Sequence, residues 1–187
     1  MPTPRLTREA VLDRLLEIFR ASGYDGASLA ALSAATGLGR SSLYHHFPNG
    51  KEDMAQQVVE HLNQQLERDL LAPLRAPGPP QARLDAMIGV LDAFYDGGRK
   101  ACLLERLCAT VDRARFQRPL EGIFGAWTDA LVALCADAGV PADDARGRAE
   151  DAIARVEGAL VLAAGTGQPA VFGRALERLR RTLLAPA

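Results

Sequence analysis

Between Gly37 and Pro48 the chain reads GLGRSSLYHHFP, gathering a guanidinium, three hydroxyls and two imidazoles into one short segment that a proline then ends. Each of these groups donates hydrogen bonds, and none is needed to fill a core. Arg40 can grip the O6 and N7 edge of guanine with two parallel bonds, and the hydroxyls of Ser41, Ser42 and Tyr44 and the ring nitrogens of His45 can donate to phosphate oxygens. A helix of only a turn or two carrying such groups fits the major groove of duplex DNA before the backbone curves away. A polar surface helix after a glycine turn has a similar composition, so the surrounding elements must decide between the two readings.

Those elements read as helices. Thr7 is placed to cap a first helix in which Ala10, Val11, Leu15, Ile18 and Phe19 recur at steps of three and four, and Gly23 ends it. Ser28 caps a second, LAALSAAT, whose alanines let a neighbouring helix approach closely, and Gly37 closes it. Gly37-Leu38-Gly39 then supplies the short glycine-bearing turn of a helix-turn-helix. Leu29, Leu32, Leu38, Leu43 and Phe47 face inward and leave Arg40, Ser41, Tyr44 and His45 outward. Pro48 stops the third helix, Asn49-Gly50 makes a turn, and a fourth helix runs from Lys51 to about Leu71.

The stretch APLRAPGPP, residues 72–80, reads as a linker, and further helices are expected near 81–97, 101–113, 117–138, 143–165 and 169–184. No stretch alternates as a strand does. The expected fold is all-α, with an N-terminal three-helix helix-turn-helix domain over residues 1–50 and a C-terminal helical ligand-binding and dimerisation domain over 51–187.

Bulk properties narrow the function classes. Of 187 residues, 48% are hydrophobic and 24% charged, an ordinary globular mixture. No uninterrupted apolar run approaches the roughly 18 residues that span a bilayer, so no membrane partner is expected. MPTPRLTREA lacks the apolar run of a signal peptide, which makes a cytoplasmic location the expectation. Residues 1–51 carry six bases against four acids, and the remainder sixteen bases against nineteen acids. A mildly basic head on an acidic body suits a polyanion at one end only.

Cys102, Cys108 and Cys135 form no CxxC pair and the histidines show no ligand spacing, so neither metal nor cofactor is expected, and the thiols read as buried packing residues. An enzyme is disfavoured, because nucleophile elbow, phosphate-binding loop and zinc motif are all missing from the sequence. The acidic pairs Asp143-Asp144 and Glu150-Asp151 read as helix-start charges.

From Thr7 to Ala55 the sequence resembles the DNA-binding domain of the TetR/AcrR family of bacterial repressors. The matching pieces are a first helix ending in F-x-x-x-G-Y, an S-L-x-x-L second helix, the recognition segment G-L-x-R-S-S-L-Y-H-H-F and the K-E-D that opens the fourth helix. Many members run F-x-x-K-E-x, whereas this chain has F-P-N-G-K-E-D with an extra Gly50. The resemblance implies that Arg40, Ser41 and Ser42 face bases, that Tyr44, His45, Ser28 and Lys51 hold phosphates, and that His46 packs at the helix end.

It also implies two functions for the body. A small-molecule effector would lie among middle-helix residues Met87, Leu91, Phe94, Cys102, Leu107, Phe124, Trp127 and Leu131, in a mostly apolar cavity with Arg99, Glu105, Arg106 and Thr128 as polar candidates. K-A-C-L-L, at Cys102, resembles a segment where some relatives place a reactive thiol, although a structural cysteine is the stronger expectation. The last two helices carry apolar stripes, Ile153, Val156 and Leu160 on one and Phe172, Leu176 and Leu179 on the other, which would form a homodimer interface as a four-helix bundle. The expected function is a ligand-responsive repressor that holds a near-palindromic double-stranded operator and leaves it when an apolar effector binds. An effector-independent architectural or division-control protein is the alternative, with the same head on a tightly filled body.

Overall fold

The computed structural model describes residues 6–186, and among these it is helical with no strand. Arg5, counted in the head's charge, lies outside the described residues. The elements are α1 (Arg8–Gly26), α2 (Leu29–Thr36), α3 (Arg40–His46), α4 (Lys51–Leu66), α5 (Ala72–Arg75), α6 (Pro80–Phe94), α7 (Leu103–Cys108), α8 (Gln117–Asp137), α9 (Ala142–Thr166) and α10 (Ala170–Thr182).

They divide into two compact units. One holds the chain through Gln64 together with Leu103–Pro119, and the other holds Gln65–Cys102 and Leu120 onward. The return of residues 103–119 to the N-terminal unit has no counterpart in a reading along the chain.

In the N-terminal unit the expected caps are present. Thr7 Oγ1 accepts from Ala10 N at 3.2 Å, Ser28 Oγ from Ala31 N at 3.1 Å, and Gly37 closes α2. The core is built from one face of each helix: Leu15 and Phe19 from α1, Leu32 from α2, Leu43 and Phe47 at α3, and Met54 and Val58 from α4. α1 packs on α2 and also on α7.

The second unit packs α9 along α10, with α6 and the turn Asp96–Gly98 against α10. Gly98 allows that approach: a Cβ there would sit 2.5 Å from Phe172 Cβ, and its φ of +89° already disfavours any side chain. The expected linker is shorter than its composition implied. Ala72–Arg75 forms a helical turn, preceded by a π-helical turn at Glu67–Leu71. Pro73 accounts for the widening, since it has no N–H to give and its ring would meet the carbonyl four residues back.

α8 is the one described helix long and apolar enough, by length and composition, to cross a membrane. Its buried residues, among them Leu120, Ile123, Trp127, Leu131 and Leu134, recur at three and four as in a helix covering a protein core.

Candidate nucleic-acid interface

The segment GLGRSSLYHHFP forms α3, seven residues long, with only Leu43 buried within it and Phe47 buried just after. Arg40, Ser41, Ser42, Tyr44, His45 and His46 are all exposed. His46 was expected to pack; its ring does lie edge-on to His45 and Phe47, at 5.5 and 6.4 Å, yet the side chain remains on the open surface.

The α2–α3 turn is held by residues that the motif reading passed over. Ser33 Oγ donates to Leu38 O at 2.6 Å, Thr36 Oγ1 donates to Leu32 O at 2.9 Å, and the same oxygen accepts from Leu38 N at 3.3 Å. Thr36 is fully buried, so this polar lock is shielded from water and fixes how α3 leaves the turn.

At the other end of α3, Gly50 adopts φ +66°, and a Cβ there would lie 3.3 Å from Tyr44 Cε1. The additional glycine in F-P-N-G-K-E-D therefore has two local reasons: a left-handed turn and the seat of the Tyr44 ring. Asp53 completes the turn, its carboxylate accepting from Asn49 N at 2.7 Å and from Asn49 Nδ2 at 3.0 Å.

Ser28 also lies on the exposed surface. Because its oxygen accepts from Ala31 N, its hydroxyl hydrogen is left to donate outward at the N-terminus of α2, where the helix dipole favours an anion.

Lys51 behaves differently from the expectation. Its ammonium donates to Tyr24 O at 3.0 Å and lies 4.6 Å from the centre of the Tyr24 ring. It is half-buried and binds carbonyls where α1 ends, so it ties α4 to α1. A lysine at a helix start has enough reach to turn inward when aromatic surface and helix-end carbonyls lie there.

Tyr24 and Asp25 anchor a network that no local motif signals. Asp25 Oδ2 accepts from Thr110 Oγ1 at 2.7 Å and from Val111 N at 3.0 Å. The Thr110 bond first, then the Val111 N–H and the Lys51 charge, hold this carboxyl below its ordinary range. Arg115 pairs with Glu52 at 2.6 Å and Asp112 at 2.9 Å, and Phe116 meets the Tyr24 ring edge-on at 5.3 Å. α1, α4 and residues 110–116 are thereby fastened within one unit.

The remaining candidate residues lie elsewhere. Met87, Leu91, Cys102, Trp127 and Leu131 are buried in the second unit, with Phe94 and Phe124 half-buried. Leu107 is buried in the N-terminal unit, on α7, and so is grouped apart from the other seven. Arg106 and Glu105 belong to that same unit and lie 3.8 Å from one another. Arg99 turns to Asp96, and Thr128 donates to Phe124 O at 2.8 Å.

The buried Cys102 receives the Tyr95 hydroxyl at 3.3 Å and donates to Glu157 Oε1 at 3.4 Å, an environment that engages the thiol as a donor. Cys135 is buried too, and burial pushes its thiol up, whereas Cys108 is exposed, against expectation.

The apolar stripes of the last two helices require a correction. Ile153, Val156, Leu160, Phe172, Leu176 and Leu179 are all buried within the single chain, sealing α9 to α10. They form no exposed seam. Large apolar side chains open to solvent on α9 are instead Val161, 51% exposed, and Leu162, 57% exposed.

An all-helical chain with a short, rigidly held helix presenting donors after a tight turn is a helix-turn-helix protein of the kind that reads duplex DNA. Residues 11–58 match the family described as "Bacterial regulatory proteins, tetR family". The match spans the helix-turn-helix, from α1 into α4.

Among curated relatives, it is 28% identical over 89 residues to the HTH-type transcriptional regulator LmrA of Bacillus subtilis, covering 48% of this chain and 47% of LmrA. It is 26% identical over 165 residues to the HTH-type transcriptional regulator BetI of Rhizobium meliloti, covering 81% of this chain and 74% of BetI. The first of these matches thus spans about half the relative's length. In fold, the chain is similar to a TetR transcriptional regulator from Legionella pneumophila, with TM-score 0.82 at 18% identity over 96% of this chain and 97% of the other. It is also similar to a cysteine mutant of the TetR-family regulator CifR, whose structure includes 26bp operator DNA, with TM-score 0.70 at 24% identity over 95% and 98% of the two chains.

Proposed function

We propose that the chain is a ligand-responsive transcriptional regulator that binds a near-palindromic double-stranded operator as a homodimer and is released by a small, mostly apolar effector. The observation that carries the DNA-binding part is the outer face of α3, where Arg40, Ser41, Ser42, Tyr44 and His45 are exposed on a helix whose opposite side is anchored by Leu43 and Phe47. Ser28 adds a phosphate donor at the start of α2. The operator complex of CifR supports the same mode of binding.

One head is too weakly charged to hold DNA well alone, which is the physical reason for two. A pair of α3 helices set about 34 Å apart would enter successive major grooves and make the site near-palindromic. The face for a second copy is assigned to the solvent side of α9, where Val161 and Leu162 stand beside exposed Ala154, Gly158 and Gly165. Small residues there permit close helix approach. Effector binding in the body must favour the DNA-free arrangement, by about 10⁴-fold for a nearly complete switch.

The test is binding of the purified protein to the DNA upstream of its own gene against a random duplex of equal length. Specific retention is expected, with log K falling against log salt at a slope of about −7 if roughly eight phosphates are neutralised. Equal affinity for both duplexes at moderate salt would refute the proposal. Leu162→Glu is expected to leave the fold intact and yield monomers by sedimentation, with a matching loss of operator affinity.

A further inference from the structure

We infer that the Trp127 indole N–H is the anchoring donor of a subsite in the second unit for an uncharged apolar molecule bearing a carbonyl oxygen. This deepens the effector-responsive reading above and rests on it.

Trp127 is 5% exposed, and its Nε1 is buried with no hydrogen-bond acceptor among the described residues. Arg83 and Arg106 also bury an Nε without a hydrogen bond, but Arg83 donates through Nη2 to Asp137 at 2.7 Å, and Arg106 Nε lies 3.8 Å from the Glu105 carboxylate as an ion pair. An indole has a single polar atom, so when that atom is unpaired the side chain's whole hydrogen-bonding capacity is unmet. Burying such a donor is unfavourable, and a phenylalanine would fill the same ring position without the penalty.

Polar side chains next to it in α8 and elsewhere in the same unit make their bonds to groups other than the indole. Thr128 Oγ1 donates to Phe124 O, and the Tyr95 hydroxyl and Cys102 thiol form a chain to Glu157. A ligand oxygen would supply the acceptor that the indole lacks.

The surroundings define the ligand's chemistry. On the same stripe of α8 as Trp127, at steps of three and four, lie Ile123, Ala130 and Leu131, all buried, and Phe124, half-buried. An ionised carboxylate would lose its hydration there, and the charged Asp129 of α8 is turned to solvent and bonded to Arg146 at 3.4 Å. A neutral ketone, ester or lactone loses little and accepts the indole proton. The donor gives direction, and the apolar stripe gives affinity.

Trp127 is the only tryptophan in the chain, so intrinsic fluorescence and a single indole N–H proton resonance report on this site alone. The experiment titrates full-length protein with two matched pairs, acetophenone against ethylbenzene and 2-acetonaphthone against 2-ethylnaphthalene, and follows operator retention in parallel. At least one ketone is expected to bind about threefold to tenfold more tightly than its hydrocarbon, with the indole proton moving downfield. In Trp127→Phe, followed by thermal shift, the preference should fall to unity while hydrocarbon binding persists.

A free-protein indole proton already protected from exchange and shifted downfield would overturn the inference, and this needs no variant. Equal binding of ketone and hydrocarbon, a preference that survives in Trp127→Phe, or failure of both ketones to bind up to their solubility would also overturn it. If a ketone binds with the expected preference and the operator stays bound, the subsite stands and the effector switch falls. If ketone and hydrocarbon release the operator equally, the switch stands and the subsite falls.

Discussion

The surface of α3 and the interior of the second unit treat polar groups in opposite ways. On α3, hydrogen-bond donors stand in water on a helix held from behind by Leu43 and Phe47, and their bonds to one another are few. In the second unit, polar side chains close on neighbours: Arg83 on Asp137, Arg180 on Asp85 at 3.0 Å, and Arg148 on the carbonyls of Leu183 and Ala185. An exposed donor keeps its hydration until a partner replaces it, so it can wait at little cost. A buried donor is normally satisfied where it stands, and the Trp127 indole differs from the arginines in having its one polar atom unpaired.

The contrast can be tested on α3 itself, starting with its inner side. Phe47→Ala removes a fully buried ring and should destabilise the protein by about 3–5 kcal/mol in urea unfolding. A small loss would mean that the helix is not anchored as described. Arg40→Ala should instead leave the melting temperature unchanged and cost about 1–3 kcal/mol of operator binding by anisotropy, concentrated at one base position. A variant that melted earlier would assign Arg40 to the scaffold.

Gly50→Ala lies between the two classes. The left-handed backbone should cost about 1–2 kcal/mol, and the displaced Tyr44 ring should weaken operator binding as well. Wild-type affinity in this variant would separate Tyr44 from the interface.

The smallest effect is expected at Asp25, whose folded-state pKa is lowered. Its contribution to stability is present above the unfolded value, near 3.9, and is lost as pH falls through the folded value. Asp25→Asn should lower neutral-pH stability slightly and flatten the acid limb of the profile, the two proteins converging at low pH. An unaltered acid limb would show that the Thr110 and Val111 bonds do not depend on the charge.

Much of the N-terminal unit was legible in order. Helix starts at Thr7 and Ser28, the stop at Gly37 and the inward set Leu32, Leu43 and Phe47 follow from local rules of capping and periodicity, and they emerge as expected. Lys51 was not legible, because a long side chain at a helix start can extend outward or fold back, and only the position of Tyr24 decides which. The last two helices show the same limit on a larger scale. The spacing of Ile153, Val156 and Leu160 marks a face that must be covered, and periodicity alone does not say whether α10 of the same chain or a second copy covers it.

Local chemistry along the chain was enough to establish the all-helical class, the turn between α2 and α3 and the donor-rich outer face of α3, because caps, breakers and helical period act over a few residues. The Asp25–Thr110 bond joins positions 85 residues apart, α10 covers the stripe of α9, and the Trp127 N–H is buried without an acceptor. Those outcomes belong to the tertiary structure alone, since which groups meet across long sequence separations depends on how whole helices pack and not on any one helix's pattern.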